Sequence, residues 1–222
     1  MLSHPIQDSA TYVPSRLLDG DSCVPQQLPQ LLDASRPENR PDIEFICMGN
    51  NCTDADIPGK GIISLMPTLI LPKSHGSIRL ATSNPRARPE VDLGYFSNPE
   101  DYDPLRKGVR LALRVAGEVR KQGYPLKDLI VPAGDSDEEI DQFIGQSIRT
   151  CFHYTSTCRM GPGAYGNHPS VVDTKLRVHG VQGLRVCDAS VFPEIITAHT
   201  MAPVVMVAER CAEFLKEAVA SA

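Results

Sequence analysis

Two histidines, His153 and His199, and one carboxylate, Asp188, have the types and surroundings needed for proton-transfer chemistry. His153 leads the stretch His153-Tyr-Thr-Ser-Thr-Cys-Arg-Met-Gly161, and His199 leads His199-Thr-Met-Ala-Pro203. Imidazole has an ordinary pKa of about 6.5, so a neutral ring can accept a proton and a charged one can return it near neutral pH. Taken singly, a histidine is more often structural than catalytic, but two features favour chemistry here. His199 lies just before an apolar run that reads as a helix. The first N–H groups of a helix have no partner inside it and its dipole is positive there, which suits an anion or an electron-rich ring. Asp188 follows the short apolar stretch Leu184–Cys187, the usual place for a ligand-facing acid in open α/β sheets. Spacing by itself does not bring the three residues together.

Other signals point away from chemistry. The seven cysteines are odd in number and none form a C-x-x-C pair, so no metal site is expected and the thiols read as buried and free. Gly161-Pro-Gly-Ala-Tyr-Gly166 matches a dinucleotide fingerprint letter for letter. That motif works only between a strand and a helix, whose N–H groups face a pyrophosphate. Here Pro162 sits in the second position and Asn167-His-Pro169 follows, so the segment reads as a turn. The sequon Asn51-Cys-Thr53 does not establish secretion, and the N-terminus does not read as a secretory signal. A net charge of −5, 41% apolar and 22% charged residues describe an ordinary globular chain. No basic stripe suits nucleic acid, and no apolar run is long enough for a membrane span.

The elements that must position the histidines follow from periodicity. Residues 1–40 are rich in Pro, Gln, Asp and Ser, with apolar pairs at Leu17-Leu18 and Leu31-Leu32. They read as loop with one or two short helices, the start of a chain inside a larger domain. Strands are expected at Asp42–Met48, within Ile62–Leu71 where Pro67 interrupts, at Gly76–Ala81 and at Glu90–Tyr95; their closeness without intervening helices predicts an antiparallel sheet. Leu105, Val109, Ala112, Leu113, Ala116 and Val119 make a helical stripe over 101–122, stopped by Gly123 and Pro125. Ser136 and Glu139 predict a capping box for a second helix carrying Ile140, Phe143, Ile144 and Ile148. Two short strands, Leu176–Val181 and Leu184–Cys187, precede a last helix from about Thr200 to Val219. Its first half (Met201, Val204, Val205, Met206, Val207, Ala208) is apolar nearly all round and so is expected to be buried.

Two long stretches carry a resemblance. Val171-Val-Asp-Thr-Lys-Leu-Arg-Val-His-Gly-Val-Gln-Gly-Leu-Arg-Val-Cys-Asp-Ala-Ser190, together with the His153 block, resembles the C-terminal signature of the glucose-methanol-choline (GMC) flavin oxidoreductases. Gly76-Ser-Ile-Arg-Leu-Ala81 and Pro89-Glu-Val-Asp-Leu-Gly-Tyr-Phe-Ser-Asn98 resemble the family's substrate domain, so the similarity covers about residues 60–215. The resemblance implies an α+β chain: an antiparallel-sheet substrate domain with flanking helices, plus the C-terminal strands and helix of an incomplete FAD-binding α/β domain. It divides the chain into a remnant segment (1–40), the substrate domain (41–155) and the C-terminal piece of the FAD-binding domain (156–222). It also implies FAD as cofactor, an alcohol as substrate and hydride transfer to flavin N5. His153 would be the principal base and His199 its hydrogen-bonding partner. Asp188 and Ala189 would lie near the ribityl and phosphate region, and Thr200 and Met201 near the pyrimidine edge. The substrate pocket is expected to include residues on the antiparallel sheet and around Phe152 and Phe192.

Two departures qualify the match. Ser156 stands where the family commonly has glycine, and the glycine-fingerprinted flavin-binding βαβ unit has no counterpart in the chain. The chain therefore reads as the C-terminal part of a longer oxidoreductase, with the missing N-terminal half as a partner and with weak FAD binding when alone. The alternatives are an inactive truncated product or a binding partner, and, within the family, a cyanohydrin lyase.

Overall fold

Five short strands and three α-helices account for most of the regular structure in the computed structural model, which describes residues 7–18, 33, 35–52, 57–163 and 169–220. The chain divides into two units, Met1–His75 with Gly94–Arg149, and Gly76–Leu93 with Thr150–Ala222.

In the first unit, β1 (Gln7–Val13), β2 (Ile43–Met48) and β3 (Ser64–Leu69) form an antiparallel sheet in the order β1-β2-β3. β1 corrects the expectation of loop and short helix before residue 40. Its residues Gln7-Asp-Ser-Ala-Thr-Tyr-Val13 carry little apolar period, and the partner β2 decides their state by offering a ladder from Val13↔Ile43 to Gln7↔Met48. The expected short helical pieces exist as 3-10 turns at Ser15–Leu17 and Pro37–Asn39. Pro67 does not break β3. It pairs with Phe45 on an edge strand, where a missing N–H costs no ladder bond on the open side.

The sheet packs one face against α1 (Tyr102–Lys121) and α2 (Asp137–Ser147). Ile43 from β2 meets Leu105 and Val109 of α1 and Ile140 and Ile144 of α2, with Val13 and Leu69 beside it. Ile43 and Ile140 are fully buried, so truncating either to alanine costs about 2–5 kcal/mol. α1 can lie this close because Gly108 faces β3: a Cβ there would sit 2.6 Å from Pro67 Cβ. Gly123, at φ +90, follows the end of α1 as expected. The capping box of α2 is present, with Ser136 Oγ accepting from Glu139 N–H and the Glu139 carboxylate accepting from Ser136 N–H, both at 3.2 Å. Arg106 and Arg110 of α1 reach Asp141 and Asp137 of α2, which fixes the helices side by side.

In the second unit, β4 (Ser77–Arg79) and β5 (Glu90–Asp92) make a separate antiparallel pair, so the expected single sheet is two. Gly76 is required where it is, because a side chain would collide with the Asp92 carbonyl. The expected strands at 176–181 and 184–187 are not formed. That region holds only isolated bridges, Val172↔Val178 and Arg177↔Arg185, because turns at Gly180 (φ +75) and Gly183 (φ +73) leave too few residues for a ladder. Its order comes from Asp173, whose Oδ1 accepts the N–H groups of Lys175 (2.8 Å) and Arg177 (2.9 Å) while Oδ2 accepts from Arg177 Nε.

α3 (Met201–Ala220) closes this unit. Val207, Cys211 and Phe214, at i, i+4 and i+7, pack with Val172, Leu176, Val191 and Phe192. The expectation that the first half of α3 is buried all round is corrected: Val205 and Met206 are exposed and Met201 is 78% exposed. Among the described residues the cover comes from the 170–192 layer and Met160, and it reaches one stripe. The expected burial of the cysteines is corrected as well. Among the described residues Cys211 is buried, Cys47, Cys52, Cys158 and Cys187 are half-buried, and Cys151 is exposed. Leu31-Leu32, Cys23 and Thr53 lie outside the described residues.

Candidate active site

His153 lies in the segment 151–156, which has neither helix nor strand to hold it. Its downstream anchors begin at Cys158. Cys158 N–H donates to Ser190 O and Met160 N–H to Val191 O, both at 2.9 Å, and Gly161 N–H donates to Val172 O at 2.9 Å. These bonds tie the strip after His153 to the core residues Val172 and Val191, and to the turn that leads toward His199. Arg159 adds a bond from its guanidinium to Pro193 O at 2.7 Å.

The two histidines meet. Their ring centroids are 5.2 Å apart and the planes are inclined by 69°, an edge-to-face contact. His153 is half-buried and His199 exposed, so the pair opens to solvent on one side. Thr200 separates His199 from the start of α3, where Val204 N–H to Thr200 O (3.0 Å) is the first helical bond. The N–H groups of Met201 and Ala202 therefore have no partner inside the helix, and Pro203 has none to offer.

Asp188 has a local duty. Its Oδ1 accepts the Ser190 N–H at 2.8 Å and caps the 3-10 turn Ala189–Val191. Asp188 is exposed and Ala189 half-buried. Phe152 and Phe192 part company: Phe192 is buried in the core beneath α3 and cannot face a ligand, whereas Phe152 is 76% exposed next to His153. Of the fingerprint-like turn only Gly161 to Gly163 is described. Ser170 Oγ holds it by accepting Gly163 N–H at 3.0 Å and donating to Gly163 O at 2.8 Å, with His179 Nε2 3.1 Å from Gly161 O. That makes His179 a structural histidine.

Sequence reasoning missed the backbone around His153. Phe152 (φ +59) and Ser156 (φ +70) both adopt left-handed conformations that cost non-glycine residues free energy. The signal was available at Ser156, a position that resembles a glycine position, since glycine is the residue that takes positive φ freely. Cys187 packs under α3 with its Sγ directed at Val207 O (3.7 Å). Burial first, and then a hydrogen bond with Cys211, push its thiol up to about 11. Cys187 is thus an unreactive core thiol. No cluster of three or more His, Cys, Asp or Glu suited to a metal occurs among the described residues.

Comparison with known proteins places this arrangement in context. Residues 72–208 match the family model described as GMC oxidoreductase. A GMC-type oxidoreductase of Mycobacterium tuberculosis is 36% identical over 195 residues, covering 82% of this chain and 35% of that protein. The oxygen-dependent choline dehydrogenase of Brucella anthropi is 37% identical over 144 residues, covering 64% of this chain and 26% of that protein. A solved structure of formate oxidase from Aspergillus oryzae, studied for FAD modification, superposes with a TM-score of 0.67 at 28% identity. It covers 80% of this chain and 32% of the oxidase. The chain thus spans about a quarter to a third of the length of the curated relatives it matches.

Proposed function

Because the chain belongs to the GMC oxidoreductase family, we propose that it is the C-terminal part of an FAD-dependent oxidoreductase acting on CH–OH groups, with His153 as the base. The observation that carries this reading is the contact of the two imidazoles, 46 residues apart in sequence (199 − 153), at 5.2 Å. FAD, when bound, supplies the acceptor for the hydride that leaves the alcohol carbon. His153 would take the hydroxyl proton on a ring nitrogen, and His199 would donate a hydrogen bond to the same oxygen and fix its direction. The half-buried setting of His153 limits its ring to few orientations, while the exposed side at His199 leaves room for the substrate.

The residues present fit a flavin. The N–H groups at the start of α3, at Met201 and Ala202, which have no partner inside the helix, suit the electron-rich edge of such a ring. The exposed side chain of Met201 and the exposed Phe152 offer apolar surface to it. Thr200 and Met201 would meet the pyrimidine edge, and Asp188 and Ala189 the ribityl and phosphate region. No strand–glycine turn–helix unit for a pyrophosphate occurs among the described residues. Since the chain spans about a quarter to a third of its relatives' length, we assign that grip to another part of a longer protein, with residues 41–155 as substrate domain, 156–222 as a piece of the FAD-binding domain and 1–40 as a remnant. The chain purified alone is expected to be colourless near 450 nm, about where flavins absorb; stoichiometric bound FAD would overturn the fragment assignment. In the complete flavoprotein, His153→Ala is expected to lower kcat by about 10²- to 10⁴-fold. Unchanged turnover would remove His153 from the role of base.

A second reading, an inactive truncated product or a binding partner, is favoured by the exposed apolar residues Met201, Val205 and Met206 on α3. Alcohol turnover with an added dye argues for the first reading. Concentration-dependent association in sedimentation, without turnover, argues for the second.

A further inference from the structure

We infer that the hydroxyl groups of Thr150 and Tyr154 form a clamp that positions His153, an inference that rests on the proposed role of the histidine pair. The segment around His153 lacks regular structure, and two non-glycine residues in it, Phe152 and Ser156, hold positive φ. Such conformations persist only where surrounding bonds over-determine them. The bonds converge on Thr150 Oγ1. It accepts the N–H of Phe152 at 3.0 Å and donates to Tyr154 Oη at 3.0 Å. One hydroxyl thereby ties the residue before His153 to the residue after it. Phe152 and Tyr154 also meet edge to face, with centroids 6.4 Å apart, so the two flanking side chains brace each other on the exposed side.

The direction of the His153 ring follows from this loop. The downstream bonds of Cys158 and Met160 fix where the strip enters the core, but they begin five residues after His153. Upstream of these anchors, Thr150 Oγ1 bonds both the Phe152 N–H and Tyr154 Oη across the turn at 152–154. Thr150 and Tyr154 are therefore positioning residues: they act through His153 and need not touch substrate.

The test is NMR of the full 222-residue chain with 13C-labelled histidines, following the Cε1–Hε1 signal of His153. His199→Gln is expected to displace that signal by removing the neighbouring ring. Thr150→Val and Tyr154→Phe, the latter removing a single oxygen, are expected to displace it in the same direction. Thr150→Ser, which keeps the hydroxyl, is expected to leave it near its original position. In the complete flavoprotein Thr150→Val and Tyr154→Phe are expected to lower kcat about tenfold with KM unchanged. If His199→Gln moves the signal but Thr150→Val and Tyr154→Phe do not, the clamp is wrong and the histidine pair stands. If His199→Gln leaves the signal in place, the ring contact is absent, and both the clamp and the proposed function fall.

Discussion

Ser156 condenses the local physics of the site into one side chain. At φ +70 a serine pays for crowding between its Cβ and the backbone, while glycine would not. Ser156→Gly is therefore expected to raise stability by about 1 kcal/mol, the left-handed penalty outweighing the added freedom of the unfolded chain. Urea unfolding would measure it, and a lower midpoint would show that the strain is absent. Asp173 works in the opposite sense. Burial opposes its charge, but the bonds from Arg177 and from the Lys175 and Arg177 N–H groups outweigh it and hold the carboxyl below its ordinary value. Asp173→Ala leaves two N–H groups without their acceptor and is expected to cost about 1–3 kcal/mol. A loss under a few tenths of a kcal/mol would mean that water replaces the carboxylate.

At the scale of elements, α1 offers a matched pair of glycines. In an open helix surface, Gly→Ala gains about 1 kcal/mol from backbone entropy. Gly117 faces nothing within 4 Å, so Gly117→Ala is expected to stabilise by about that amount. Gly108 faces Pro67 of β3 at 2.6 Å, so Gly108→Ala must push helix from sheet and is expected to destabilise by about 1–3 kcal/mol. Thermal unfolding of the two variants should move in opposite directions. A shift of the same sign in both would mean that α1 does not lie against β3 at this distance.

For the whole molecule, pH reports both ends of the ionisable range. Asp173 has a folded value below its unfolded one. Its contribution is present above the unfolded carboxylate value and is lost as pH falls through the folded value. Cys187 has a folded value raised from 9.0 to about 11. Its contribution is complete below 9.0 and is lost as pH rises through about 11. Stability is thus expected to decline on both the acid and the alkaline side, and Cys187→Ala should flatten the alkaline limb. An alkaline limb unchanged in that variant would assign the loss to other groups. The thiols should also separate by reactivity: exposed Cys151 is expected to react with an alkylating reagent near pH 8 well before Cys187.

The residue order by itself determined the family, the helices α1 and α2 and the Ser136–Glu139 cap, because these depend on local spacing and on motifs with fixed registers. It also supplied the glycine-like position at Ser156. It could not reveal β1, whose polar residues become a strand only when β2 presents a ladder, nor the tolerance of Pro67, which depends on β3 being an edge. The exposed side of α3 was equally hidden, since an all-round apolar helix says that it needs covering but not which neighbours supply the cover. Only the tertiary structure decided that His153 and His199 touch. Spacing along a chain fixes contacts within a turn or two of helix, whereas a contact across 46 residues (199 − 153) exists only because the core of Val172, Val191 and Val207 brings both segments to one place.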